Sequence, residues 1–360
     1  MAESLQIVRQ KIDALDERIL KLLSARANIA LQVGRIKKGV LTYRPEREAQ
    51  VLRRLTQLNS GPLPATALRH IYGEIMSACR ALEAQLAVAY LGPEGTYSQE
   101  AALRHFGASI QTQACVSIDE VFKQVETATT GYGVVPVENS TEGAIGRTLD
   151  LLLTTPAKVC GEIMLPVRQC LMSKAKKRSS IKKVYSHSQS LAQCQHWLSS
   201  HLAGAERIAV VSNAEAALRA AADPTAAAIA SKTAATLYKV PLLARDIQDE
   251  SRNTTRFLVL SRETVNPSGY DKTSLIVSTR NVPGAIYELL APLALNKVSL
   301  TRLESRPAKT GLWEYVFYVD IEGHDSDPAV AQALKEIEGK ATFMKNLGSY
   351  PAVLNTMRGK

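Results

Sequence analysis

The stretch AVAYLGPEGTYSQEA, residues 87–101, runs from five apolar residues through Gly and Pro into small polar residues and then a helical pattern. A short apolar run bounded by turn residues and followed by a helix reads as a buried strand of an α/β sheet. The pattern recurs at YGVVPV (132–137), KVYS (183–186), IAVVS (208–212) and AAIAS (227–231), and it predicts a parallel sheet flanked by helices. Each run ends in polar residues, at GPEGTYSQ (92–99), ENSTEG (138–143), SHSQS (186–190) and SNAE (212–215). Any one of these edges is explained as a helix cap. Their repetition, together with ESRNTTRFLVL (250–260), where polar residues enter an apolar strand with no Gly or Pro between, suits a cleft around a small anion. No GxGxxG or GxxxxGK[ST] is present, so there is no nucleotide signature.

Upstream the texture is helical. Leu5, Val8, Ile12, Leu15, Ile19, Leu22, Ile29, Val33 and Ile36 follow steps of three and four and predict one helix over 5–38. At ~1.5 Å per residue it would be about 50 Å long, more than a small domain can cover, so it calls for a partner chain and an intertwined homodimer. Pro45, followed by Glu46 and Glu48, starts a second helix, and a third follows NSGPLPATAL (59–68) and reaches about Gln85. Arg26 interrupts the apolar stripe, with Lys37 on nearly the same face and Arg9, Arg35 and Arg47 as further cations. Arg26 either pairs with a seam glutamate or snorkels to water, or several cations converge on an anion pocket.

Downstream, VNPSGYDK (265–272) is a linker, and the elements after it alternate strand, helix, strand, strand, helix, strand. That order is ferredoxin-like.

The bulk numbers fit this division. A chain of 360 residues with 46% hydrophobic and 22% charged residues is ordinary for two or three soluble domains. The first ten residues lack the apolar core of a signal peptide, and no apolar run approaches bilayer length, so a cytoplasmic protein without a membrane partner is expected. Five scattered cysteines without CxxC indicate reduced thiols, and no histidine spacing indicates a metal. The net charge of +10 is concentrated in residues 1–86, which hold 14 Lys/Arg against 8 Asp/Glu. Nucleic acid is one possible partner, although these cations are dispersed along helices rather than run together; a small polyanionic substrate is the other, and composition alone does not choose between them.

In order and in register, these segments resemble the bifunctional chorismate mutase–prephenate dehydratases of phenylalanine biosynthesis. VRQKIDALDERILKLL, VGRIKK and RPERE are similar to the helical mutase (1–86). YLGPEGTYSQEA, VPVENSTEGAI, SHSQSLAQC and NTTRF are similar to the dehydratase (87–265), a two-lobed fold like that of periplasmic binding proteins. VPGAIYELL and TRLESRP are similar to an ACT domain (272–351).

The resemblance implies two reactions, chorismate to prephenate and prephenate to phenylpyruvate, without cofactor or metal. It implies a mutase pocket of Arg9 from one chain with Arg26, Lys37, Arg47, Glu48 and Glu83 from the other. The rearrangement is pericyclic and needs no nucleophile; cations hold the reactive conformer and stabilise charge on the ether oxygen. Lys37 and Glu83 would face that oxygen, Glu83 as a protonated donor. Thr255 would assist departure of the ring hydroxyl as CO2 leaves, as a relay or polarising group. Thr96, Ser98, Glu138, Asn139, Ser186, Gln189, Gln193, Asn253 and Arg256 would line the same cleft. L-Phenylalanine would bind near Gly284, Ala285, Glu304, Ser305, Arg306 and Pro307 as a feedback inhibitor. The homodimer is open to higher association. Arg44, Cys79 and Ser188 depart from some relatives. The rival reading is a non-enzymatic two-lobed receptor with a sensing domain and a helical dimerisation arm.

Overall fold

The computed structural model describes residues 5–36, 43–308 and 315–353, which form two compact units. The first comprises residues up to Leu86 together with Arg104–Gln111. It contains α1 (Leu5–Ile36), α2 (Pro45–Leu58) and α3 (Ala65–Glu83). Pro45 presets the backbone for the first turn of α2, and Glu46 and Glu48 meet the positive end of the helix dipole. No residue of α1 is buried, and Ile12, Leu15, Ile19, Leu22 and Ile29 are at least half exposed. Those stripe residues therefore lack cover among the described residues. At its end, α1 approaches α3 so closely that a Cβ on Gly34 would lie 3.2 Å from Glu83 Cα. Residues 104–111 pack here too: Ser109 N–H donates to Ser77 Oγ, and Tyr43 bonds the His105 ring at 2.7 Å.

The second unit holds three sheets. The first has the order β2 (Gln111–Cys115), β1 (Ala87–Leu91), β3 (Tyr132–Asn139), β11 (Thr254–Ser261) and β5 (Lys158–Pro166), with β4 (Gly143–Ala144) beside β3. The helices α4 (Tyr97–Phe106), α5 (Ile118–Glu126) and α6 (Gly146–Thr154) follow its strands. The second sheet has the order β10 (Leu242–Ala244), β6 (Cys170–Ser173), β9 (Ala226–Ala230), β7 (Lys183–His187) and β8 (Glu206–Val210). Its helices are α7 (Ser188–Gln193), α8 (Gln195–His201), α9 (Asn213–Ala222) and α10 (Lys232–Leu237).

The chain crosses between the two sheets twice, after β5 and again before β11, which makes a two-lobed body. The expected parallel sheet is corrected to a mixed one. β1–β3, β7–β8 and β7–β9 are parallel, whereas β11 runs antiparallel to β3 and β5, and β6 antiparallel to β9 and β10. The returning strand completes the first sheet from far along the chain, so its direction is not written in any local pattern.

Several polar edges prove to be caps. Ser117 and Ser212 accept from the N–H groups of Glu120 and Glu215, whose carboxylates accept from Val116 and Val211. Both are reciprocal caps in which the glutamate reaches back to the N–H one residue before the capping serine. The second lobe is built from alanine: Ala226, Ala227, Ala228 and Ala230 of β9 are buried with Ala214, Ala216, Ala217 and Ala220 of α9. Small side chains let helix and strand approach closely, which here outweighs alanine's poor strand propensity.

The third sheet has the order β13 (Leu300–Pro307), β14 (Tyr315–Glu322), β12 (Asp271–Ser278) and β15 (Phe343–Pro351). With α11 (Ala285–Leu295) and α12 (Pro328–Glu338) it gives the expected βαββαβ order. Its helical face buries Leu275, Val277, Phe317, Val319 and Ile321 against α11 and α12. Its other face puts Ile276, Tyr318, Leu347 and Tyr350 into one core with Val135, Leu149, Val159, Leu258 and Leu260 of the first lobe. Gly348 permits this approach: at φ +133° its missing Cβ would stand 2.5 Å from Val159 O.

Candidate functional site

In the dehydratase-like lobes, Thr255 and Asn139 are direct register partners on antiparallel β11 and β3. Asn139 is buried, and its Oδ1 accepts from Thr141 N, Thr141 Oγ1 and Glu142 N at 3.0, 2.6 and 3.3 Å. Two backbone donors fix the amide orientation, so Nδ2 must be the end that meets Thr255 Oγ1 at 2.8 Å and Asn253 Oδ1 at 2.9 Å. The Thr255 oxygen is therefore an acceptor, and its own proton is left for another partner. An accepted hydrogen bond also strengthens a hydroxyl as a donor. Asn253 is 2% exposed, and its Nδ2 has no hydrogen-bond partner among the described residues. A buried amide left this way suits a ligand oxygen.

Asn253 lines a cavity of about 320 Å³ with Thr141, Glu142, Gln193, Gln248 and Asp249. Gln193 joins it through Gln169, whose Nε2 donates to Gln193 Oε1 at 3.3 Å and to Ser190 Oγ at 3.0 Å. Gln169 also accepts from Tyr97 Oη and, through its backbone N–H, donates to Gln248. Tyr97, Gln169 and Gln248 were not singled out from sequence. Gln169 and Gln248 sit where the chain crosses between lobes, a place recognisable only once the lobes are known.

The other expected cleft residues divide. Ser186 is fully buried and donates to Asn213 Oδ1 and Ile229 O, so it braces β7 against its neighbours. Thr96 Oγ1 donates to Leu91 O and Pro93 O, shaping the turn before α4, and Ser98 is buried in the first turn of that helix. Gln189 is half-buried in α7. Glu138 and Arg256 lie on the opposite face of their strands from Asn139 and Thr255. Glu138 accepts from Arg302 Nε at 2.7 Å. Arg256 is buried and donates to Glu162 at 3.0 Å, Asp320 at 2.5 Å and Tyr350 at 3.0 Å. Burial works against its charge, but Tyr350, Asp320 and Glu162 hold the guanidinium protonated.

In the helical unit, Arg80, unforeseen from sequence, occupies the interior. It is buried, pairs with Glu48, bonds Phe106 O and lies 5.0 Å over the Tyr43 ring. Burial raises the Glu48 pKa against the pull of Arg80 and Arg26. Burial, then Arg80, lowers that of His105 to about 4, so this imidazole is neutral. Arg26 is half-buried, while Arg9 and Arg47 are exposed. Glu83 Oε2 is buried without a hydrogen-bond partner among the described residues. Lys37 lies outside the described residues.

In the ferredoxin-like unit, Gly284, Ala285 and Ser305 line a cavity of about 380 Å³ with Val282, Tyr315 and Phe317. Gly284 holds φ +82° before α11, so the helix starts at the cavity. Arg306 turns to Asp150 at 3.2 Å, and Glu304 lies 3.9 Å from Arg302. Both alternate away from Ser305, and Pro307 ends the strand on the exposed side.

Residues 8–84 match chorismate mutase type II, 88–265 prephenate dehydratase and 273–339 the ACT domain. A bifunctional chorismate mutase/prephenate dehydratase of Neisseria gonorrhoeae is 50% identical over 96% of each chain. The prephenate dehydratase of Arthrobacter aurescens, solved in complex with L-Phe, is 31% identical with a TM-score of 0.69, covering 74% of this chain and 90% of its own. A structure described as a quorum-quenching acylase, GqqA, is 28% identical with a TM-score of 0.68, over 74% of this chain and 98% of its own. A shared fold can carry different chemistry, but the match to the bifunctional enzymes runs through all three segments. The chain belongs to the bifunctional chorismate mutase/prephenate dehydratases.

Proposed function

We propose that the Thr255 hydroxyl, held by Asn139, donates a hydrogen bond to the departing ring hydroxyl of prephenate as CO2 is lost and the ring aromatises. The observation that carries this is the fixed Asn139 amide, which makes Thr255 Oγ1 an acceptor and leaves its hydrogen unused. Threonine is too weak an acid to release a proton unaided, so it polarises the leaving oxygen or relays a proton to it. The unpartnered Asn253 Nδ2 is suited to a carboxylate of the same substrate.

In the helical unit chorismate meets cations and the unpartnered Glu83 oxygen, with Glu83 facing the ether oxygen and Lys37 and Arg9 completing the site. Arg80 and Glu48 brace it from within. The uncovered stripe of α1 is seated against a second copy of the chain, making a homodimer. Mass measurement by light scattering tests this, and a protomer mass that persists at high concentration rules it out. L-Phenylalanine occupies the cavity at the start of α11: its ring meets Val282 and Phe317, and its carboxylate the helix N-terminus. The complex named for the Arthrobacter relative supports this. No helix among the described residues is long and apolar enough to cross a membrane, and we assign the enzyme to the cytoplasm.

The test is to give the purified chain chorismate alone and follow the products. Phenylpyruvate supports both sites. Prephenate that accumulates unchanged removes the role of Thr255, and unreacted chorismate removes the mutase.

A further inference from the structure

Successive side chains of a strand face opposite ways. Asn139 and Thr255 meet on one face of β3 and β11, where Asn139 also bonds the cavity-lining Asn253. The adjacent register pair, Glu138 and Arg256, faces the ACT sheet and meets another register pair there, Arg302 of β13 and Asp320 of β14. Arg302 Nε donates to Glu138 at 2.7 Å, and Arg256 Nη1 to Asp320 at 2.5 Å. Each sheet supplies one acid beside one base, so charge alternates around a square one residue from Thr255. The square is braced: Ser274 donates to Asp320 Oδ1 at 2.6 Å, and Tyr350 accepts from Arg256 Nη2 at 3.0 Å. Such charges are costly to leave alone, so the two sheets are held in register with each other.

The same two ACT strands border the effector cavity. Ser305, three residues beyond Arg302, and Phe317, three before Asp320, line it. An odd step along a strand changes face. β13 and β14 therefore carry the cavity on one side and the charge square on the other. A ligand that moves either strand pulls directly on the strand pair that holds Asn139 and Thr255.

We propose that the Glu138–Arg302 and Arg256–Asp320 pairs are the element that couples an aromatic amino acid in the ACT cavity to the dehydratase site. Glu138 and Arg256 act as positioning residues rather than substrate ligands. The proposal rests on the assignment of that cavity as the phenylalanine site. Linkage then requires prephenate and phenylalanine to alter each other's affinity by the same factor.

The test uses the full chain and its Arg302→Met, Arg302→Lys and Asp320→Asn variants. L-Phenylalanine binding is measured by calorimetry, and dehydratase kcat and KM with and without it. Coupling in allosteric proteins is commonly about 5- to 150-fold, and in Arg302→Met it should fall below about twofold while phenylalanine affinity stays within about threefold. Arg302→Lys, which keeps the charge, should restore part of the coupling. An arginine that serves stability alone would not separate binding from inhibition. If Asp320→Asn does not fold, the Arg302 variants decide. Arg302→Met inhibited at wild-type concentrations and to wild-type extent overturns the coupling element alone. Loss of phenylalanine binding in that variant also overturns it, by placing Arg302 in the cavity. A wild-type chain that binds no phenylalanine instead overturns the effector assignment, and the coupling with it.

Discussion

Replacing Thr255 with Val keeps the shape and removes the hydroxyl. Asn139 Nδ2 then keeps one of its two N–H donors on Asn253 Oδ1 at 2.9 Å, while the other loses its 2.8 Å acceptor and is stranded in a buried setting. The stability cost should be that of one stranded buried donor, about 1–3 kcal/mol. The rate cost is larger, because the lost proton is aimed at charge that develops only as the hydroxide leaves. Removing one such donor elsewhere costs about 2.7–4 kcal/mol, or roughly 10²–10³ in kcat. Phenylpyruvate formation from prephenate should therefore fall by about that factor with KM little changed, a loss confined to the transition state. Thr255→Ser, which keeps the hydroxyl, should stay within roughly tenfold of wild type, and chorismate consumption should be unaltered in both. Phenylpyruvate formed by Thr255→Val within tenfold of the wild-type rate would refute the reasoning, because binding and orientation by Asn139 and Asn253 would then suffice.

Glu83→Gln should flatten the pH profile of the mutase, since an amide donates at any pH while a carboxyl must hold its proton; an unaltered profile removes Glu83 from the ether oxygen. Gly348→Ala should destabilise the α/β unit by about 2 kcal/mol or more, combining a backbone clash with left-handed strain, and urea unfolding reads it. Burial raises the Asp320 pKa, but Arg256, Ser274 and Arg302 outweigh it and hold the carboxyl below its ordinary value. Its contribution to stability is thus full above the unfolded value of about 3.9 and is lost as pH falls through the lower folded value. Asp320→Asn should be less stable at neutral pH and should lose this part of the acid dependence; identical acid-unfolding curves would show that the pair contributes nothing.

The strand at 87–91, the first turn of α2 at Pro45 and the βαββαβ order after residue 271 could all be read from spacing and turn residues, because each is decided locally. The mixed sheet could not. β11 lies between β3 and β5 although 114 residues separate Asn139 from Asn253, and no local pattern records a partner that distant. β5 also escaped, since Glu162 in mid-strand looks like a solvent position until Arg256 and Lys272 are seen to meet it. The placement of Glu138 and Arg256 was within reach. Each is adjacent in a strand to a cleft residue, and parity alone turns it to the other face. Arg80 gave no signal, because its position in α3 resembles any solvated arginine of a helix.

The core shared by the first lobe and the ACT sheet has an evolutionary consequence. A chain that stopped at residue 265 would strip Ile276, Tyr318, Leu347 and Tyr350 from the core that holds Leu258 and Leu260, and would leave Arg256 without Asp320 or Tyr350. The sensor is thus no detached accessory: a premature stop codon would strip the dehydratase lobe of part of its own core. A lineage under selection to escape end-product control keeps that core if it does so by substitution, in the cavity or along the strands behind it, and a sensing domain can fall silent there long before it is lost.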